Sequence, residues 1–247
     1  MDLASAIAAV RGSTVAVFRF HAVRPQTTKK GKILPAQYTV GWGSGFSVVT
    51  DRYVVTAFHV LNGGQPRNPQ DKFLVFVVPG NGSAAFHFPV IGFPVERADL
   101  DLAVLEIGPC ATQGVQLPAV PVSFTVQPDG VRVLTIGFPA PAVAALNIDA
   151  QGNYLGGQFF LKSHANEGIV AAQYLHGLLR MYEFNVGWHH GESGGPVVRI
   201  DEPAAAFTVM QQYRNIESPH GVVAGPHRGF ALSAIQEDLA RLGATIV

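Results

Sequence analysis

A single cysteine, Cys110, leaves this 247-residue chain without any intrachain disulfide. Its fold must therefore rest on packing, and the cysteine usage fits a reducing compartment. Charge is scarce as well: 14 % of residues are charged, and 17 lysines and arginines are matched by 17 aspartates and glutamates. With no net field of either sign, neither nucleic acid nor an anionic membrane surface is an expected partner. No apolar run approaches the ~20 residues that span a bilayer. The nearest thing to a leader, Leu3 to Val10, is short and follows Asp2, where a secretion signal would carry positive charge. The expectation is a short helix leading into the first strand, in a cytoplasmic protein. What is abundant is apolar: a hydrophobic fraction of 48 % suits a packed globule and argues against disorder.

Strand signals dominate the chain. Short runs rich in Val, Phe, Ile and Thr recur at TVAVFRF (14–20), GFSVVT (45–50), YVVTAF (53–58), FLVFVV (73–78), LAVLEI (102–107), VRVLTIGF (131–138), GIVAA (168–172), PVVRI (196–200) and FTVM (207–210). Gly and Pro punctuate them closely, as in an antiparallel sandwich or barrel rather than an alternation of strand and helix. One helix is marked near the end, at about 233–242. Ser233 is its expected cap, Gln236 completes a capping box, and Ile235, Leu239 and Leu242 share a face. The segment GPCATQGVQLPAVPV (108–122) has three prolines and no helical period, which makes it the candidate link between two β units. The expected division is 1–112 and 113–247. There is no repeat of solenoid period and no low-complexity tract.

Three short stretches carry the chemistry. In GESGGPVV, from Gly191 to Val198, a serine sits among glycines that permit positive φ. Such a turn is either only a turn, or a way to expose Ser193 while neighbouring N–H groups converge beside it. The second reading needs a base and an orienter. VVTAFHVL sets His59 just after a strongly apolar strand, and the glycines of GWGSGFSVV let backbone approach that strand. In ERADLDLAVLEI, Asp101 directly precedes another apolar strand, where an aspartate alone reads as a turn residue. Each signal is weak singly. Their joint order, His then Asp then Ser, each at the edge of an apolar strand, is far more specific.

These segments resemble the motifs of chymotrypsin-like serine peptidases: TAFHV the histidine motif, DLAVL the aspartate motif and GESGGPVV the serine motif. GSGF, VLTIGFP, GIVAA and GFALSAIQEDL look like the disulfide-free bacterial branch that includes the Deg or high-temperature-requirement proteases. The matches thread from about residue 40 to residue 240. The resemblance implies an all-β fold of two packed six-stranded antiparallel barrels, an active site in the cleft between them and a C-terminal helix. It implies Ser193 as nucleophile, His59 as base and Asp101 as orienter, with Asp99 the near rival. Gly191 and Ser193 would supply the oxyanion-hole N–H groups. The implied activity is hydrolysis of peptide bonds through an acyl-enzyme intermediate, on a protein or peptide substrate.

The chain departs from the digestive branch in two ways. No R-[IV]-V-G-G segment stands near its start, and Glu192 replaces the aspartate that receives a freed amine there; Glu192 then reads as a solvated turn carboxylate. Nor is a PDZ-type module expected after the last helix. In this fold the residue six before the serine lies at the base of the primary pocket, and here it is Gly187. Trp188 beside it, the segment Met210, Gln211 and Gln212, and Gly229 are the expected walls. An uncharged pocket implies a preference for Ala, Val or Leu. His189, His190, His220 and His227 match no compact zinc spacing, so no metal and no organic cofactor is expected. The rival to an enzyme is a protease fold that is catalytically silent, or held inactive until a protein partner binds. The basic loop TTKKGK (27–32) reads as a solvated loop, with docking of an acidic partner as its alternative.

Overall fold

Two curled β units account for most of the chain in a computed structural model, which describes residues 1–23, 37–63, 67–139, 141–149, 153–187, 189–200, 204–218 and 221–247. The TTKKGK loop, Trp188 and His220 lie outside the described residues. The chain opens with α1 (Leu3–Arg11), whose first turn is capped by the Asp2 carboxylate accepting the Ser5 N–H at 2.7 Å. The first unit then runs β1 (Thr14–Val23), β2 (Gln37–Val49), β3 (Tyr53–Ala57), α2 (Phe58–Asn62), β4 (Lys72–Val77), β5 (Phe86–Arg97) and β6 (Leu102–Ile107). Its strands close into a barrel in the order β1-β2-β3-β6-β5-β4. Every pairing in it is antiparallel.

Two-residue alternation explains why β1 and β4 are apolar on both faces. Val15 and Val17 of β1, with Phe73, Val75 and Val77 of β4, fill the barrel interior. Ala16, Phe18 and Phe20, with Leu74 and Phe76, face outward under a second layer. That layer is a hairpin further along the chain, whose Tyr154 and Phe159 meet Phe18, Phe20 and Phe76 ring to ring. Pro89 and Pro94 interrupt β5, and its register with β6 shifts at Gly92 and again before Val95, where a proline can sit without breaking a ladder.

The segment from 108 to 131 crosses to the second unit without a named strand, although Leu117 and Val120 are buried. There follow β7 (Arg132–Gly137), β8 (Ala142–Ile148), β9 (Tyr154–Phe160), β10 (His164–His176), β11 (Leu179–Val186), β12 (Pro196–Arg199), β13 (Ala206–Val209), β14 (Gln212–Ser218) and β15 (Gly221–Phe230). Seven of them form a curled sheet in the order β13-β12-β7-β10-β11-β15-β14, and β8 pairs only with β9. An isolated antiparallel bridge between Thr208 and Ala231 ties β13 to the end of β15, which curls the sheet toward closure. The fold is thus chymotrypsin-like: one closed barrel and one half-barrel.

The last helix differs from its expected cap. A 3-10 turn, Leu232–Ile235, precedes α3 (Gln236–Leu242), and no side chain caps either one. Ser233 falls inside the 3-10 turn, where its main-chain oxygen, rather than its hydroxyl, accepts the N–H of Gln236. Ile235 and Leu239 still bury the face the sequence assigned to the core.

Candidate active site

His59 is the second residue of α2, the single turn that begins where β3 ends. That turn stops at Gly63 in the left-handed region, φ 53°, with the Gly63 N–H bonded to the His59 carbonyl at 2.8 Å. Pairing of Ala57 with Leu102 brings the start of β6 beside it, so Asp101 arrives at the same end of the barrel. Its carboxylate grips His59 twice. Oδ2 lies 2.8 Å from the ring Nδ1, and Oδ1 accepts the main-chain N–H at 2.8 Å. A carboxylate only accepts, so Nδ1 carries the proton and Nε2 is left as the acceptor. Asp101 itself has φ 49°, in the left-handed region that aspartate tolerates better than most residues. Asp99 is exposed and bound by Arg97 Nε and its terminal nitrogen at 3.0 and 2.7 Å. That guanidinium holds the Asp99 carboxyl below its ordinary value.

Ser193 lies in the loop between β11 and β12, buried to 7 % exposure. Two glycines shape that loop by necessity. Gly191 has φ 99°, and a Cβ there would stand 2.6 Å from the Phe138 carbonyl oxygen. Gly194 has φ 91°, and its Cβ would stand 2.0 Å from the Ser44 oxygen and 3.0 Å from the Ala57 nitrogen. The serine loop is therefore pressed against the strand end from which His59 emerges. Ser44 holds it there from both sides. Its N–H donates to the Ser193 carbonyl at 2.7 Å, and its hydroxyl donates to the Gly191 carbonyl at 2.7 Å while accepting the Phe138 N–H at 2.8 Å. Among the described residues neither the Gly191 nor the Ser193 N–H is engaged, so both remain for a ligand. The Ser193 hydroxyl donates to the Gln211 carbonyl at 3.3 Å.

Glu192 corrects an expectation. It is 3 % exposed, not solvated, because its carboxylate accepts the Asn166 side-chain amide at 3.0 Å and the His189 N–H at 2.7 Å. Burial pushes its carboxyl above the ordinary value of 4.5, and those hydrogen bonds, with His189 and His164 nearby, oppose the rise. The backbone of Glu192 is also spoken for, its N–H on the His189 carbonyl at 3.1 Å and its carbonyl under the Gly195 N–H at 3.0 Å. Gly137 makes room for it, since a Cβ at 137 would stand 2.8 Å from the Glu192 Cα and Cβ. The carboxylate thus pins the turn that carries Gly191.

The expected pocket residues divide. Gly187 is exposed, with no side chain and the Asn166 oxygen 3.7 Å from where a Cβ would be. Gly229 is packed so closely under Val209 that a Cβ would fall 2.0 Å from its oxygen. Met210 is buried in the core of the second sheet. Gln211 is not a free wall: the residue is 3 % exposed and its side chain is tied to Leu100, Asp101 and Phe230. Two surface hollows flank His59, one of about 300 Å³ toward Arg19, His21, Trp42 and Gly63, the other of about 390 Å³ toward Asn62, Ala98 and Asp101. Among the described residues no three His, Cys, Asp or Glu side chains cluster as metal ligands, and no helix is long and apolar enough to cross a membrane.

Ser44 and Asn166 were not singled out from the sequence. Ser44 sits within the GSGF match, but a serine in a glycine-rich strand carries no mark of its partner 147 residues on.

Comparisons with known proteins bear on the family and the fold. The model of the trypsin-like peptidase domain matches residues 43–203. The solved structure of the HtrA-type protease AlgW with a decapeptide superposes with a TM-score of 0.63 at 16 % identity, covering 98 % of this chain and 67 % of that one. A second AlgW structure with a decapeptide gives 0.64 at 16 %, covering 99 % and 68 %. At that identity the likeness is one of fold. No curated protein matches the chain by sequence.

Proposed function

This chain belongs to the trypsin-like peptidase family, and from that premise we propose that it is a serine endopeptidase working through Ser193, His59 and Asp101. The observation that carries the reading is the double grip of Asp101 on His59, beside a serine loop whose two free N–H groups need a glycine at 191. On substrate binding the Ser193 hydroxyl leaves the Gln211 carbonyl and attacks the scissile carbonyl carbon, passing its proton to His59 Nε2. The Gly191 and Ser193 N–H groups take the oxyanion. His59 then returns the proton to the departing amine, leaving an acyl-enzyme that water hydrolyses by the same route reversed. Asp101 stays ionised throughout, fixing the tautomer and stabilising the imidazolium. The half of the chain up to 112 supplies the histidine and aspartate, and the half from 113 supplies the serine.

The primary pocket takes an uncharged side chain of modest size, such as Ala, Val or Leu. Gly187 offers no charge, and the one buried carboxylate in the loop, Glu192, is engaged by Asn166 and His189. Profiling a peptide library tests this: cleavage after small aliphatic residues, lost in Ser193→Ala, is expected. Cleavage dominated by Lys or Arg would overturn the pocket assignment. A second reading, a protease fold held silent until a partner binds, draws on the Ser193 hydroxyl resting on Gln211. Under it the native chain cleaves nothing in the library.

A further inference from the structure

We propose that Gln211 is a positioning residue that holds Asp101, and through it His59, in register with Ser193; the proposal rests on the serine-endopeptidase reading above. A glutamine side chain has two N–H donors and one carbonyl acceptor, and here both ends are spent on backbone. Nε2 donates to the Leu100 carbonyl at 2.6 Å and to the Asp101 carbonyl at 2.9 Å, while Oε1 accepts the Phe230 N–H at 2.9 Å. A buried amide so satisfied is a rigid link, whereas an unsatisfied one would be a cost. The link spans 110 residues of sequence, from the half-barrel to the turn that presents Asp101 at the end of the closed barrel. Its own main chain faces the nucleophile, since the Gln211 carbonyl accepts the Ser193 hydroxyl. One residue therefore touches the serine with its backbone and the aspartate's turn with its side chain.

The turn needs such a hold. Asp101 adopts φ 49°, in the left-handed region that non-glycine residues populate sparsely. Removing the donors strips the Leu100 and Asp101 carbonyls of the amide and lets the turn relax, which carries the carboxylate off both its bonds to His59. A displacement of about 1 Å in a catalytic group costs on the order of 10²-fold in rate.

The test replaces the amide by its apolar isostere, Gln211→Met, in the full chain. The probe is the p-nitrophenyl ester of N-acetylalanine, and the far-downfield proton resonance of the His59–Asp101 hydrogen bond is recorded beside it. Expected are a kcat lower by about 10- to 100-fold with KM within roughly twofold, and loss or upfield movement of that resonance. An unchanged kcat overturns the proposal whatever happens to the melting temperature, and so does a raised KM at unchanged kcat, which would make Gln211 a pocket wall. If Gln211→Met does not fold, Gln211→Glu keeps the size and the acceptor for Phe230 and is read by the same criteria. If the native chain turns over no ester, the endopeptidase reading fails, and the resonance still decides whether Gln211 positions Asp101.

Discussion

The substitution Gly191→Ala brings a methyl carbon to 2.6 Å from the Phe138 carbonyl oxygen and to 3.0 Å from Trp42 Nε1. Ordinary contact begins near 3.4 Å, so the loop or the carbonyl must give by about 0.8 Å. The backbone must also hold φ near 99°, which costs a non-glycine residue on the order of 1–3 kcal/mol. For a chain of this size that lowers the melting temperature by roughly 2–12 °C. The larger consequence is chemical, because relaxing the clash turns the 190–191 peptide and withdraws one oxyanion donor. Loss of such a donor costs about 10²–10³ in kcat with KM little changed. Steady-state kinetics on a small ester below the variant's melting point measure this directly. Gly243→Ala is the matched control: φ is 87° at the end of α3, far from the site, with nothing within 4 Å of the new Cβ. It should lose the stability that the positive φ costs, without the clash, and no activity. A Gly191→Ala enzyme that melts early yet keeps its kcat would refute the assignment of the Gly191 N–H.

Two further outcomes follow from buried charges. The Glu192 carboxyl is raised above 4.5 by burial, so between that value and its higher folded value the native state holds the proton more often than the unfolded chain does. Its contribution to stability is complete below about 4.5 and is lost as pH rises through the folded value; Glu192→Gln should remove that part of the slope and gain on the native chain as pH rises, whereas parallel melting curves would contradict it. Arg19 and Asp71, bonded at 3.0 and 2.7 Å with side chains 5 % and 0 % exposed, form a buried pair beside the hollow at His59. Asp71→Ala takes the buried carboxylate away from the Arg19 guanidinium and should cost about 3–5 kcal/mol in denaturant unfolding, while a loss under about 1 kcal/mol would show the pair to be solvated in solution.

How far the sequence reached depended on how local each signal was. LAVLEI is β6 residue for residue, and YVVTAF and PVVRI begin where β3 and β12 begin, because each is a short β-branched run buried between breakers. The strands β8 and β9 escaped: the apolar run of β8 is mostly alanine, a weak strand former, and Gly156 and Gly157 interrupt β9. The placement of His59 at the end of β3 and of Asp101 at the start of β6 followed from local pattern, and pairing of those strands brings the two together. The burial of Glu192 did not follow from local pattern: its partner Asn166 is 26 residues away on β10, and a carboxylate in a glycine turn looks solvated until the sheet folds over it. Gln211 was read as a pocket wall for the same reason, because its bonds cross 110 and 111 residues. Local pattern fixes elements; the contacts that aim the site are long-range.

The most direct test of the central claim is labelling with a fluorophosphonate followed by mass spectrometry of the native chain and of Ser193→Ala. The account predicts one adduct on the native chain, carried by the peptide containing Ser193, and none on the variant. A folded native chain that takes no label, or labels at another residue, would contradict it.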